Sequence, residues 1–304
     1  MRKYEFYQLD VFTDTRFAGN PLAVFPESEG LSSEEMQSIA MEMNLSETVF
    51  VLPSDKAVRR LRIFTPRQEL PLAGHPVVGT WNLLAHLGIV DNPANGRIQI
   101  EQEVRLGVLP VEIEFADNVP MVVTMTQGEF DPGPIVDDEG VLNDLASSLS
   151  LELDELACTR ALPVQVVSTG IRSLAVPVVS LTALGRIRVN TSALSDIYLE
   201  PGAVGCFAFT FETFEEGSAV HARFFAPADA ILEDPATGSA AGSLSGYLIN
   251  HGALDPGSFT IEQGDFMGRP SRIYATIDGG KGNVERVRIG GRSVIVAKGE
   301  IYLD

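Results

Sequence analysis

Residues Pro71–Gly88, PLAGHPVVGTWNLLAHLG, form the stretch that decides the fold. They predict a corner of small residues at Gly74, followed by an apolar helix that ends at a glycine. A second stretch, Ala236–Gly252, has the sequence ATGSAAGSLSGYLINHG and predicts the same arrangement. At an offset of 164 positions, four pairs of identical residues coincide, namely Gly74, Leu84, Gly88 and Asp91 with Gly238, Leu248, Gly252 and Asp255.

Similar segments flank both stretches and keep their order along the chain. They are Leu22-Ala-Val24 with Leu174-Ala-Val176, Arg62-Ile-Phe-Thr-Pro66 with Arg223-Phe-Phe-Ala-Pro227, and Ile100-Glu101-Gln102 with Ile261-Glu262-Gln263. Several matches in one order indicate an internal duplication. We therefore predict two related halves, 1–125 plus 286–304 and 126–285. The Gly-, Pro- and Asp-rich stretch 128–147, which includes a short predicted helix, is predicted to link them.

The remaining patterns predict the fold class. Short alternating segments predict strands at 4–13, 22–25, 48–53, 59–65, 97–101 and 293–302. Ser32 and Glu35 form a predicted capping box for a helix over 31–44. The helix after Gly74 has apolar residues on nearly every face, which is typical of a buried helix. These features predict an α+β fold of two pseudo-symmetric halves, each a curled, mostly antiparallel sheet around a central helix.

Composition excludes several classes of partner. The 304 residues include 22 Lys and Arg against 41 Asp and Glu, a formal net charge of −19. Nucleic acids and anionic membranes both attract basic surfaces, so neither is expected as a partner. No apolar run approaches the roughly 20 residues of a membrane span. The two cysteines, Cys158 and Cys206, are expected to be buried thiols in the reducing cytoplasm.

The duplicated corners predict the position of the functional site. A helix N-terminus carries unpaired N–H donors and a partial positive charge, which favours anions. Gly74-His75 and Gly238-Ser239 stand at the two corners and are expected to meet a small carboxylate in a cleft between the halves. The alternative is that both glycines only shape a turn.

Three further side chains are candidates for chemistry. Glu47, between a helix and an apolar strand, is a candidate general acid/base. His75 and Asp234 are candidates for holding the substrate, although each also suits a structural turn. We interpret His86, His221 and His251 as structural.

Several common motifs are absent from the sequence. It contains no G-x-G-x-x-G after a strand, no Walker A motif, no H-E-x-x-H and no C-x-x-C. The run Gly238-Ser-Ala-Ala-Gly242 does not match the G-x-S-x-G elbow. Nicotinamide, nucleotide and zinc chemistry therefore have no support from sequence motifs.

Taken together, the motifs resemble those of the PhzF-like, or phenazine-biosynthesis type, isomerases. The resemblance covers essentially the whole chain and is carried by Asp10-Val-Phe-Thr, Gly19-Asn-Pro-Leu-Ala-Val-Phe25, Asn44-Leu-Ser-Glu-Thr48, Phe64-Thr-Pro66, Leu70-Pro-Leu-Ala-Gly-His-Pro76, Glu233-Asp-Pro-Ala-Thr-Gly-Ser239 and Gln263-Gly with Met267-Gly-Arg-Pro-Ser271. That family is similar in fold to diaminopimelate epimerase. The resemblance implies a homodimer that needs no cofactor or metal.

The resemblance also implies residue roles. Glu47 corresponds to the family's proton-shuttling glutamate, and His75 and Asp234 to the residues that hold the substrate. Gly74 and Gly238, with Ser239, would take the substrate carboxylate or adjacent polar groups. The cofactor-free epimerases place a cysteine at each corner, where this chain has Ala73 and Thr237. Two-thiol epimerase chemistry is therefore not expected.

The sequence thus predicts a cytoplasmic, cofactor-independent isomerase that moves a proton on a small anionic substrate. Glu47 would take a proton from an acidified carbon and return it on the same face. Two alternatives remain: a hydrolase or lactonase that uses the same cleft, and a non-catalytic protein that binds small anions.

Overall fold

A computed structural model describes residues 1–157 and 162–304. The chain divides into two compact units, Met1–Thr126 with Gly290–Asp304, and Gln127–Ile289. Among the described residues, the strands are β1 (Arg2–Val11), β2 (Asn20–Phe25), β3 (Glu47–Leu52), β4 (Arg59–Phe64), β5 (Glu69–Leu70), β6 (Asn95–Val104), β7 (Gly107–Ala116), β8 (Val119–Thr126), β9 (Asp131–Val136), β10 (Val164–Ser168), β11 (Arg172–Pro177), β12 (Cys206–Thr210), β13 (Ser218–Ala226), β14 (Ile231–Asp234), β15 (Gly257–Gln263), β16 (Ser271–Gly280), β17 (Asn283–Gly291) and β18 (Ser293–Leu303). The α-helices are α1 (Ser33–Met43), α2 (Gly74–His86), α3 (Glu139–Ser148), α4 (Leu181–Arg186), α5 (Thr191–Leu199) and α6 (Gly238–Asn250).

In the first unit, the sheet wraps around α2. Strand β1 pairs antiparallel with both β2 and β18, so the last strand of the chain lies beside the first. Strand β2 pairs parallel with β3, β3 antiparallel with β4, and β6 to β8 form an antiparallel meander. Helix α2 contacts β1, β2, β3, β8 and β18. Every residue from His75 to Ala85 is buried, as the apolar pattern predicts.

The second unit repeats this plan around α6. Strand β11 pairs parallel with β12, β12 antiparallel with β13, and β13 parallel with β15. Helix α6 contacts β10, β11 and β16, and all its residues from Ala240 to Ile249 are buried. Helices α3, α4 and α5 pack over a separate apolar core that includes Leu149, Leu184 and Tyr198. Each unit therefore has a curled, mostly antiparallel sheet and one buried 13-residue helix.

Two details differ from the sequence-based expectations or fall outside the described residues. The interpretation of 128–147 as a link is wrong in part, because β9 pairs antiparallel with β10 and so belongs to the sheet of the second unit.

Cys206 is a buried free thiol, as expected, and burial raises its pKa to about 12. Cys158 lies outside the described residues. Across the described part of the chain, no helix is both long and apolar enough to cross a membrane.

Trp81 tests how strongly the first unit depends on its buried helix. Its indole Nε1–H donates to Gln102 Oε1 at 2.7 Å, and both residues are fully buried. Trp81→Phe removes part of the ring and leaves a buried acceptor unpaired, so we expect a loss of about 3 kcal/mol in the free energy of unfolding. Urea unfolding followed by circular dichroism measures this loss.

The matched control is Tyr247→Phe on α6, where the phenol donates to the Pro163 carbonyl at 2.6 Å. This change removes one hydrogen bond and little volume, so it should cost about 1 kcal/mol. Equal losses in the two variants would contradict the importance assigned to the Trp81–Gln102 pair.

Candidate active site

Glu47 lies shortly after helix α1, at the start of β3. The predicted capping box is present, because Ser32 accepts from the Glu35 N–H and the Glu35 carboxylate accepts from the Ser32 N–H. The helix ends at Asn44, whose φ of 50° lies in the left-handed region that Asn tolerates. Three residues later Glu47 opens β3, opposite Leu22 of β2. Glu47 therefore belongs to a strand and not to a loop.

His75 is the second residue of α2. The residue before the helix, Ala73, has no side chain that can cap it, and no side-chain cap is present. His75 Nε2 lies 3.2 Å from Glu47 Oε2, and the two side chains are only 7% and 15% exposed. The structure therefore brings together Glu47, Gly74 and His75, although Glu47 and His75 are 28 positions apart in sequence.

The charge state of this pair follows from its burial. A separation of 3.2 Å would suit an ion pair, but burial lowers the pKa of His75 from 6.5 to about 3. The imidazole is therefore neutral at neutral pH. A neutral imidazole has one ring nitrogen as donor and the other as acceptor. The contact is thus a 3.2 Å approach between a neutral ring and a carboxyl group.

The second unit brings together the other predicted residues. Asp234 ends β14, and Thr237 Oγ1 donates to Asp234 Oδ2 at 2.5 Å. Gly238 and Ser239 begin α6, and Ser243 Oγ donates to the Ser239 carbonyl at 3.0 Å. The hydroxyl of Thr237 is used by Asp234 and does not cap the helix. The N-terminal turn of α6, like that of α2, therefore keeps donors that suit an anionic group.

Gln263 supports this corner and was not proposed as a site residue. Its Oε1 accepts from the Thr237 N–H at 3.0 Å, and its Nε2 donates to the Asp234 carbonyl at 2.7 Å. The equivalent residue in the first unit, Gln102, instead accepts from Trp81. The repeat of Glu-Gln in both halves was the signal available in the sequence. Only the contacts show that the two glutamines hold different partners.

A buried ionic cluster surrounds His221. His221 Nδ1 lies 2.9 Å from Glu262 Oε2, and Glu262 also accepts from the backbone N–H groups of Phe214 and Glu215. Arg272 binds both oxygens of Asp265 at 3.1 Å. The carboxylates are thus occupied by protein donors, which fits the structural role predicted for His221 rather than a metal centre. His251 Nε2 contacts Gln165 at 2.7 Å, and His86 is exposed at the end of α2.

Comparison with known proteins places the chain in a sequence family. A family model described as phenazine biosynthesis-like protein matches residues 9–299. The trans-2,3-dihydro-3-hydroxyanthranilate isomerase of Pseudomonas aeruginosa is 35% identical over 304 residues, which cover 99% of this chain and 100% of that protein. A crystal structure of a Bacillus anthracis phenazine biosynthesis protein of the PhzF family matches with a TM-score of 0.86 at 30% identity, and the match covers 100% of both chains.

A more distant structure supports the fold alone. A hydroxyproline epimerase from Agrobacterium vitis matches with a TM-score of 0.65 at 13% identity, covering 100% of this chain and 93% of that one. The predicted epimerase-like α+β fold is thereby confirmed.

The low pKa of His75 makes a testable contribution to the pH dependence of stability. Because the folded pKa of about 3 lies below the unfolded value of 6.5, only the unfolded chain binds this proton between those values. Folding stability should therefore fall by about 1.4 kcal/mol per pH unit as the pH drops from 6.5 toward 3. Urea unfolding of the wild type and His75→Asn at pH 7 and pH 5 isolates this term.

The exposed His86 provides the control for this experiment. His86→Asn should keep the pH slope of the wild type, whereas His75→Asn should flatten it. A His75→Asn slope equal to that of the wild type would show that His75 is not held neutral by burial.

Proposed function

This chain belongs to the phenazine biosynthesis-like protein family, and we propose that it is a cofactor-independent isomerase that relocates a proton on a small carboxylate-bearing substrate. Glu47 is the proposed general acid/base, and His75 is its proposed partner. The observation that carries the proposal is the buried 3.2 Å approach of His75 Nε2 to Glu47 Oε2 at the start of α2.

Three physical features support proton transfer at this pair. Its burial excludes most water, which strengthens electrostatic interactions and protects a reactive intermediate. The neutral imidazole adds no net charge that would pin Glu47 as a permanent carboxylate. The N-terminal turn of α2 offers N–H donors and a partial positive charge to negative charge that develops on the substrate.

The proposed reaction balances without any other reactant. A C–H bond of the substrate breaks, its electron pair stays on the substrate, and the proton moves to a carboxylate oxygen of Glu47. The same oxygen then returns the proton to a different carbon on the same face. Holding the base and the carbon together accelerates the reaction through proximity, and proton transfer by a positioned side chain accelerates it further.

The second unit also contains residues that are proposed to bind polar groups. Asp234 is held by Thr237, and its main-chain carbonyl by Gln263, so its carboxylate has a fixed orientation. Gly238 and Ser239 present backbone N–H groups at the start of α6. We propose that these residues bind polar groups of a small ligand. In the first unit, we propose that Gly74 binds a carboxylate or an adjacent polar group.

The first substrate to test is the compound named for the Pseudomonas aeruginosa relative, trans-2,3-dihydro-3-hydroxyanthranilate. Incubation in D₂O followed by NMR distinguishes the alternatives. An isomerase yields a rearranged product with deuterium at carbon. A hydrolase yields a product that has gained water, and a binding protein broadens the ligand signals without turnover.

Glu47→Gln is the decisive variant for the proposed mechanism. It keeps the size and hydrogen-bonding ability of the side chain but removes the titrating proton. We expect turnover to fall by at least about 10²–10⁴-fold, with ligand binding and thermal stability largely kept. Isomerisation rates and deuterium incorporation measure the loss.

Glu42→Gln is the matched control, because Glu42 is exposed in the last turn of α1, five positions before Glu47. This variant should retain the rate of the wild type. If Glu47→Gln also incorporates deuterium at the wild-type rate, the acid/base role passes to another residue.

We also propose that the protein is a homodimer, on the strength of the family resemblance. Sedimentation equilibrium at micromolar concentration should give twice the chain mass of 32.8 kDa. A mass equal to that of one chain across this range refutes the proposal.

A further inference from the structure

Strand β4 lies between β3, which begins at Glu47, and β5, which precedes the helix that carries His75. Its residue Arg62 pairs with Phe50 of β3, the strand that Glu47 opens. Two residues later, Phe64 pairs with Glu69 of β5, the strand that leads into the corner before α2. A side chain anchored on β4 can therefore act on both segments.

Arg62 makes contacts that join these segments. Its Nε and one terminal nitrogen donate to the two carboxylate oxygens of Glu69 at 2.8 and 2.7 Å. Its other terminal nitrogen donates to Ser33 Oγ at 3.0 Å, and the guanidinium lies 5.0 Å from the centre of the Phe64 ring. The Arg62 and Glu69 side chains are 15% and 21% exposed. Two parallel hydrogen bonds fix distance and angle together, which a single contact does not.

The residues that Arg62 contacts belong to the two segments that precede Glu47 and His75 in the chain. Ser33 is the first residue of α1, the helix that ends shortly before Glu47. Glu69 precedes Gly74 by five positions on the way to His75. Gln37 of α1 adds a second tie, since its Nε2 donates to the carbonyl of Thr65 just after β4 at 2.9 Å. Arg62 thus holds α1 and β5 to one strand.

The second unit contains the same pair at the same place. Arg223 donates to the two oxygens of Glu233 at 2.8 and 2.7 Å and lies 5.0 Å from the Phe225 ring. Glu233 precedes Gly238 by five positions and is the neighbour of Asp234. The bidentate pair is therefore part of the duplicated plan.

We propose that Arg62 and Glu69 are positioning residues that set the separation of Glu47 and His75, an inference that rests on the proposed function. Stability alone gives a weak reason for such a pair. Well-packed apolar residues often replace a buried ion pair without loss of stability. Apolar residues, however, do not define the distance between two segments as a bidentate pair does.

The test compares Arg62→Lys, Glu69→Gln and the double variant. Lysine keeps the charge of Arg62 but cannot form two parallel hydrogen bonds. Each single variant should lower kcat for the isomerisation of trans-2,3-dihydro-3-hydroxyanthranilate by about 100-fold, as expected for a misplacement near 1 Å, with little change in KM. The double variant should lose little more than the worse single variant, because both changes remove one interaction.

A second readout does not depend on activity. The chain has four histidines, so ¹⁵N-histidine labelling gives few signals, and His75→Asn assigns those of His75. In Arg62→Lys and Glu69→Gln, the His75 ring signals should shift, because the distance between its Nε2 and Glu47 Oε2 changes. Arg223→Lys makes the same chemical change in the second unit and should leave the His75 signals in place.

The two readouts separate the possible failures. If the wild type does not turn over the substrate, the proposed function fails for that compound, and the NMR arm still decides whether the Arg62–Glu69 pair sets the geometry. Folded variants with wild-type kcat and unchanged His75 signals overturn the inference. Lower melting temperature with unchanged His75 signals and kcat also overturns it, because the pair is then only structural. If Arg62→Lys does not fold, the same two readouts on Glu69→Gln decide between these outcomes.

Discussion

The structure of each unit depends on one helix that is buried on every side. Helix α2 is covered by strands from both ends of its sheet, and α6 has an equivalent environment in the second unit. A buried helix satisfies its backbone internally except at its ends, where four N–H groups have no partner within the helix. In both units the side chain before the helix does not cap these groups. The Ala73 side chain has no polar atom, and the Thr237 hydroxyl bonds to Asp234. Each buried helix therefore has N–H donors and a partial positive charge at its first turn.

Burial also determines the electrostatics of the proposed catalytic pair. Removing His75 from water disfavours its charged form more than a carboxylate at 3.2 Å favours it. A charged His75 would hold Glu47 as a carboxylate through a strong ion pair. A neutral His75 adds no such ion pair. A neutral His75 beside Glu47 is consistent with the proton transfer that we propose for Glu47.

The duplication has kept the frame of the two units and changed their polar chemistry. Both units keep the bidentate Arg–Glu pair, the small corner and the 13-residue buried helix. The glutamine at the equivalent position differs in its partners, because Gln102 bonds to the Trp81 indole and Gln263 bonds to the Asp234–Thr237 corner. One unit thus presents the Glu47–His75 contact and the other a hydrogen-bonded carboxylate, Asp234.

The sequence by itself determined the features that depend on neighbouring residues. The capping box at Ser32, the two apolar helices and the ordered repeat were all legible, because periodicity and caps report local burial and local hydrogen bonds. The family motifs also pointed to Glu47, His75 and Asp234.

Only the tertiary structure decided how these residues meet. The Glu47–His75 contact and the low pKa of His75 depend on the packing of β3 and α2, which lie 28 positions apart at these residues. The Arg62–Glu69 pair depends on the register of β4 against β5. The pairing of β9 with β10, in a stretch interpreted as a link, has the same origin. A strand pattern shows which face is buried but not which partner it meets, because pairing partners are chosen by the packing of the whole unit.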